Sequence, residues 1–176
     1  MRRILVIANI LALTVSAIAS EDTLYLDRCQ IVNHPTDLSL PSMLLTHFQL
    51  PEVIAGKEVL LAEITIRLGI RNLQQDSLLE LRLSPLLSSP PEGDCDYGDI
   101  EAITDSLGAG VWTCRFDSAA YFQVDITEFM RAVAQRERDN FGLVGTLDLL
   151  GEANVILPEN LAEAIQNDAR VRVIFK

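Results

Sequence analysis

Between residues 60 and 70 the chain alternates. Leu60, Ala62, Ile64, Ile66, Leu68 and Ile70 are apolar, with Glu63, Thr65 and Arg67 between them. Successive side chains of a β-strand point to opposite faces, so the pattern predicts a long strand with one buried and one wet face. A helix would scatter the same six residues round its circumference. A chain with this segment at its centre must build a sheet and bury one side of it.

Other segments read the same way. Residues 23–32 form a first strand, stopped by Asn33-His34-Pro35, and Leu44, Thr46, Phe48 and Leu50 alternate up to Pro51. Ala55-Gly56-Lys57 supplies a turn into the long strand. Leu79, Leu81 and Leu83 alternate with Glu80 and Arg82, and residues 111–116, 120–126, 141–150 and 170–175 are further strands. Residues 88–98, with prolines, glycines and acids, read as a loop, irregular or in short strand through Gly110. The period changes after Asp125-Ile126-Thr127, where Phe129, Met130 and Val133 take helical spacing; Thr127 is the expected N-cap and Asp139-Asn140 the end. Residues 161–165 read as a helical turn. About eight short strands, one short helix and no βαβ rhythm predict an all-β, antiparallel β-sandwich.

At 176 residues the chain fits one domain. Residues 1–20 stand apart: Arg2 and Arg3, an apolar run from Ile4 to Val15, then Ala17-Ile18-Ala19 form the pattern of a secretory signal peptide. The apolar run is shorter than the ~20 residues that cross a bilayer. The expectation is cleavage near Ala19 or Ser20, a mature domain of residues 21–176 with no membrane span, and a secreted, periplasmic or cell-surface location. Loss of Arg2 and Arg3 takes the net charge from −11 to −13. Nucleic acid and anionic membrane are bound by clustered Lys and Arg, so neither is an expected partner. Of Cys29, Cys95 and Cys114, the nearer pair, Cys95 and Cys114, could close a disulfide in an oxidising compartment, although three pairings are possible.

Several of these segments together resemble one family. Leu44-Leu45-Thr46-His47-Phe48-Gln49-Leu50-Pro51 followed by residues 59–68 is similar to the opening of DNRLRE-type secreted domains. Val124-Asp125-Ile126-Thr127 with Phe129, Met130 and Val133, then Asn140-Phe141-Gly142-Leu143 and the closing residues 170–175, resemble the same family's later motifs. The family's helix tryptophan is absent, with Ala134 or Gln135 near its place. The resemblance implies a jelly-roll-like β-sandwich akin to carbohydrate-binding modules of secreted or cell-surface proteins.

Candidate sites follow from residue type. Asp94, Asp96, Asp99 and Glu101 crowd one Gly-containing loop and are candidate ligands of a structural calcium ion, against the simpler reading of a solvated acidic loop. No other cofactor is expected. Tyr97, Trp112 and Tyr121 are candidate sugar platforms, because pyranose CH groups pack on aromatic faces. Trp112 is the only tryptophan, and core packing competes for it. No catalytic residues are assigned: His34 and His47 lie near no nucleophile motif, and Gly108-Ala109-Gly110 lacks the Lys of a phosphate loop. The expectation is a non-catalytic module for polysaccharide or another surface component, with a self-associating structural protein and a secreted hydrolase as alternatives.

Overall fold

The computed structural model describes residues 19–37, 40–68, 78–93, 95–105, 110–115, 121–149, 153–154 and 157–176, with backbone alone at 78, 111–115, 149 and 153–154. The signal-peptide expectation lies almost wholly outside these residues. Nine strands appear among them: β1 (Ser20–Val32), β2 (Met43–Phe48), β3 (Val59–Arg67), β4 (Leu78–Pro85), β5 (Gly110–Arg115), β6 (Tyr121–Asp125), β7 (Leu143–Leu149), β8 (Ala153–Asn154) and β9 (Arg170–Phe175). Three short helices, α1 (Tyr97–Ala102), α2 (Thr127–Ala134) and α3 (Leu161–Asp168), replace the single helix expected.

Every described strand pair is antiparallel. One layer runs β1-β9-β3-β6 and the other β1-β2-β7-β4-β5, with the two-residue β8 appended to β7. With β8 set aside this is the winding of a jelly-roll sandwich. β1 belongs to both layers: residues 20–25 pair with β9, and from Leu26 onward it pairs with β2 across a register irregularity between Leu26 and Arg28. At the opposite seam Gly110 of β5 sits against the Asp125 carbonyl of β6, too close for any Cβ, so the sandwich is nearly closed there.

The main core lies between the layers. β9 contributes Val171, Val173 and Phe175, β6 contributes Phe122 and Val124, and β4 contributes Leu79, Leu81 and Leu83, all at alternate positions and all buried. In β3 the alternation holds from Ala62 through Ile64 and Ile66, but a bulge between Val59 and Leu61 shifts its phase. Val59 is therefore fully buried while Leu60, expected on the inner face, is 37% exposed. A bulge puts two residues opposite one, so everything before it changes face.

A second, smaller cluster explains the segment read as a loop. Met43 and Leu45 project from the outer face of β2 and Val32 from β1, and they are covered by Leu86, Cys95, Tyr97 and Ile100. α1 is held down by Tyr97 and Ile100, three residues apart and so on one side of the helix. At α2 the expected cap is corrected: Thr127 is the first helical residue, Ile126 precedes it, and no side-chain cap forms. Asp125 Oδ1 instead accepts the Thr127 N–H at 2.8 Å, and Thr127 Oγ1 accepts the Ala62 N–H of β3 at 2.9 Å.

Candidate functional site

Leu24 and Leu26 point into the core, so Tyr25 between them points out. Cross-strand register carries its row over the outer face of the β1-β9-β3-β6 layer. Tyr25 stands opposite Arg170, Arg170 opposite Thr65, and Thr65 opposite Gln123. Two residues along β6, on the same face, Tyr121 stands opposite Arg67. Three strand spacings and a two-residue offset put the Tyr25 and Tyr121 backbones about 16 Å apart. Tyr25 is 61% and Tyr121 44% exposed, which makes the pair an uncovered aromatic surface with polar residues between them.

Charges fix this face. The Arg170 guanidinium carbon lies 4.5 Å from the Tyr25 ring centroid, and this cation–π contact orients the ring. Arg172 grips Glu21 through two bonds of 2.9 and 3.0 Å and lies 3.7 Å from Glu63. Its hydrogen bonds hold the Glu21 carboxyl below the usual carboxylate range and raise the guanidinium in turn. Beside Tyr25 the face falls into a cleft of about 360 Å³ whose walls include Asp22, Asp27 and Gln49.

A separate cleft of about 200 Å³ opens over the other layer, lined by Arg28, Leu45, His47, Ser89, Pro90, Asn140 and Phe141. His47 Nδ1 is 2.6 Å from Asp27 Oδ1, and its Nε2 is 3.2 Å from the Asn140 carbonyl oxygen. Each ring nitrogen thus faces an oxygen, and the tautomer decides which of the two contacts is a donated hydrogen bond. Ser89 lines the same cleft.

The residues singled out from sequence do not form one group. Tyr97 is 6% exposed, set edge-on to His34 with ring centroids 5.2 Å apart. Burial, followed by the charges of Glu101, Asp148 and Asp37, raises its phenol above the ordinary value. It anchors α1 and offers no platform. The Trp112 side chain lies outside the described residues, and of the other two rings Tyr121 is the one exposed to solvent. Asp94 also lies outside them, while Asp96, Asp99 and Glu101 are exposed on and beside α1. Among the described residues no three His, Cys, Asp or Glu side chains gather as metal ligands do.

The expected disulfide is not formed here. Cys95 is a buried free thiol whose Sγ lies 3.4 Å from the Pro91 carbonyl oxygen and receives an Arg28 Nη2 bond, also at 3.4 Å. It packs beneath the α1 segment, whereas Cys114 is on β5 opposite Leu79, its side chain outside the described residues. Cys29 is free too, and burial pushes its thiol up to about 12.

Tyr25 is the site residue that was missed. The signal was present in Leu24-Tyr25-Leu26, since an aromatic between two inward leucines of a strand must face out. No family model matches the chain, and no curated protein matches it. Among the described residues no helix is long and apolar enough to cross a membrane.

Proposed function

We propose that this chain is a secreted, non-catalytic binding module whose outer β1-β9-β3-β6 face takes up polysaccharide. The observation that carries the reading is the shared face of Tyr25 and Tyr121, both exposed, with Thr65, Gln123 and Arg170 in the row that links them. Sugar rings present apolar CH faces for stacking and hydroxyls for hydrogen bonding, and this surface alternates the two kinds of contact. A shallow, wide face suits a polymer better than a small molecule, which favours a deeper pocket. The jelly-roll winding and the resemblance to DNRLRE-type domains support the same class.

Self-association through open strand edges is the second reading, and β1 motivates it, because among the described strands each half of β1 is paired on one side only. Two contacts argue against it. Asp22 Oδ1 accepts the Thr23 N–H at 2.8 Å, and Gln166 Nε2 donates to the Asp27 carbonyl at 3.0 Å, so side chains already occupy edge groups that a second copy would need.

The deciding experiment is retention of the purified protein on a panel of insoluble and soluble polysaccharides, in calcium and in EDTA. Retention on one polymer class is expected, with roughly tenfold weaker binding in Tyr25→Ala and in Tyr121→Ala, the equivalent of about 1.4 kcal/mol per ring. Retention on no polymer, or binding that survives both substitutions, overturns the proposal. Loss in EDTA would assign a metal to it.

A further inference from the structure

We propose that the cleft beside Tyr25 selects among polysaccharides, taking an uncharged sugar unit in preference to a uronate or a sulfated one; this rests on the polysaccharide reading of the same face. Tyr25 has one ring face to offer. The Arg170 guanidinium carbon stands over the other, 4.5 Å from the centroid, so a sugar stacks on the face it leaves open. Arg170 belongs to β9, and the order β2-β1-β9 puts the two neighbours of β1 on opposite sides of it. Gln49 and Pro51, just past the end of β2, wall the cleft together with Tyr25 itself. The cleft therefore lies on the side of Tyr25 away from the guanidinium.

Acceptors dominate its lining. Asp22, Asp27 and Gln49 bring two carboxylates and an amide to the cleft, and among the described residues no Lys or Arg lines it. Each carboxylate is held by one oxygen: Asp22 Oδ1 accepts the Thr23 N–H at 2.8 Å, and Asp27 Oδ1 lies 2.6 Å from His47 Nδ1. The second oxygen of each has no hydrogen-bond partner among the described residues. Carboxylate oxygens accept and do not donate, which suits the hydroxyls of a neutral sugar, and the Gln49 amide can do both. A carboxylate or sulfate on the sugar would add a negative charge beside Asp22 and Asp27, in a chain already at −11. Arg170 does not offset this, because its charge sits beyond the ring, on the face the sugar does not touch. About 360 Å³ is near the lower end for small-ligand sites and holds about one or two sugar units. The rest of a polymer then runs over Thr65 and Gln123 toward Tyr121.

Calorimetric titration of the purified protein with soluble polymers at one ionic strength tests the selection: neutral glucans, mannans and xylans, then polygalacturonate, then carrageenan. A neutral polymer is expected to bind, with the uronate and the sulfated polymer at least about tenfold weaker. Asp22→Asn keeps the acceptor for the Thr23 N–H and removes the charge. It should weaken the neutral polymer about fivefold and narrow the gap to the acidic ones, which a merely structural role would not do. Gln49→Ala should weaken the neutral polymer by a similar factor, and the thermal midpoints of both variants guard against loss through misfolding. Acidic polymers bound as tightly as neutral ones or more so, in a manner that needs Tyr25 and falls in Arg170→Gln, overturn this proposal and leave the polysaccharide face standing. Neutral binding unchanged in both Asp22→Asn and Gln49→Ala does the same. Binding of no polymer of any kind overturns the face and the cleft together.

Discussion

The hydroxyl of Thr127 accepts the Ala62 N–H at 2.9 Å in a buried position, and so joins the start of α2 to the middle of β3. Replacing it by an isosteric methyl strands that N–H, which costs about 1–3 kcal/mol. Thr127→Val is therefore expected to lower the urea midpoint by that amount, with Thr127→Ser close to the parent; an unchanged midpoint in the Val variant would refute the contact. Asp148 offers a test with a sign. Burial, opposed by Arg82 and reinforced by Glu80, raises its carboxyl above the ordinary value. A raised folded value means that the native state prefers the protonated form, so stability from this group is present below the unfolded pKa and is lost as pH rises through the folded one. Asp148→Asn, which mimics the protonated form, should stabilise the protein modestly at pH 7 and give no gain near pH 3, read as the difference between denaturation curves at the two values. At Cys29, a thiol pushed up to about 12 is ionised to about one part in ten thousand at pH 8. Alkylation of Cys29 by iodoacetamide should require denaturant, and rapid labelling of the native protein would contradict its burial.

Among the elements, the turn into β7 is the most sharply specified. Gly142 has φ 106° and lies against the Thr46 carbonyl, in a space no Cβ can share. Gly142→Ala is expected to cost about 1–3 kcal/mol from backbone strain alone, and to loosen Asn140 and Phe141 beside it, measurable as a lowered midpoint with faster amide exchange in β2 and β7. A variant as stable as the parent would place that glycine in a freer turn. The turn at Gly142 was not legible beforehand, because residues 141–150 read as one strand and the close approach to Thr46 that demands a glycine is a tertiary contact. β9 was legible to the residue, since Val171, Val173 and Phe175 alternate without interruption. α1 was not. Its helix rests on two anchors, Tyr97 and Ile100, and its other residues include the glycine and acids that marked the stretch as loop. Tertiary cover over Met43 and Leu45, not propensity, makes it a helix. The phase shift at Val59 was equally hidden, because a bulge depends on which residue of β9 stands opposite.

At the scale of the whole molecule, the proposed face exists only through long-range pairing. Tyr25 and Tyr121 are far apart in sequence and come onto one surface because β9, the last strand, inserts between β1 and β3. Each tyrosine could be read as outward-facing from its own neighbours, but their common side follows from three registers that no local pattern contains. That geometry makes a prediction about ligand length. Rings carried on backbones about 16 Å apart can be engaged together only by an oligomer long enough to reach both, and a second contact on one ligand then acts at high effective concentration. Affinity for a matched series of oligosaccharides should rise slowly while only one ring is reached, then step upward once the chain spans the face. Tyr25→Ala or Tyr121→Ala should each remove the step and leave binding of the shortest oligomers through the other ring. Affinity that climbs evenly with length in the parent and in both variants would mean that the two rings do not serve one ligand, and the shared face would then be an accident of the sheet.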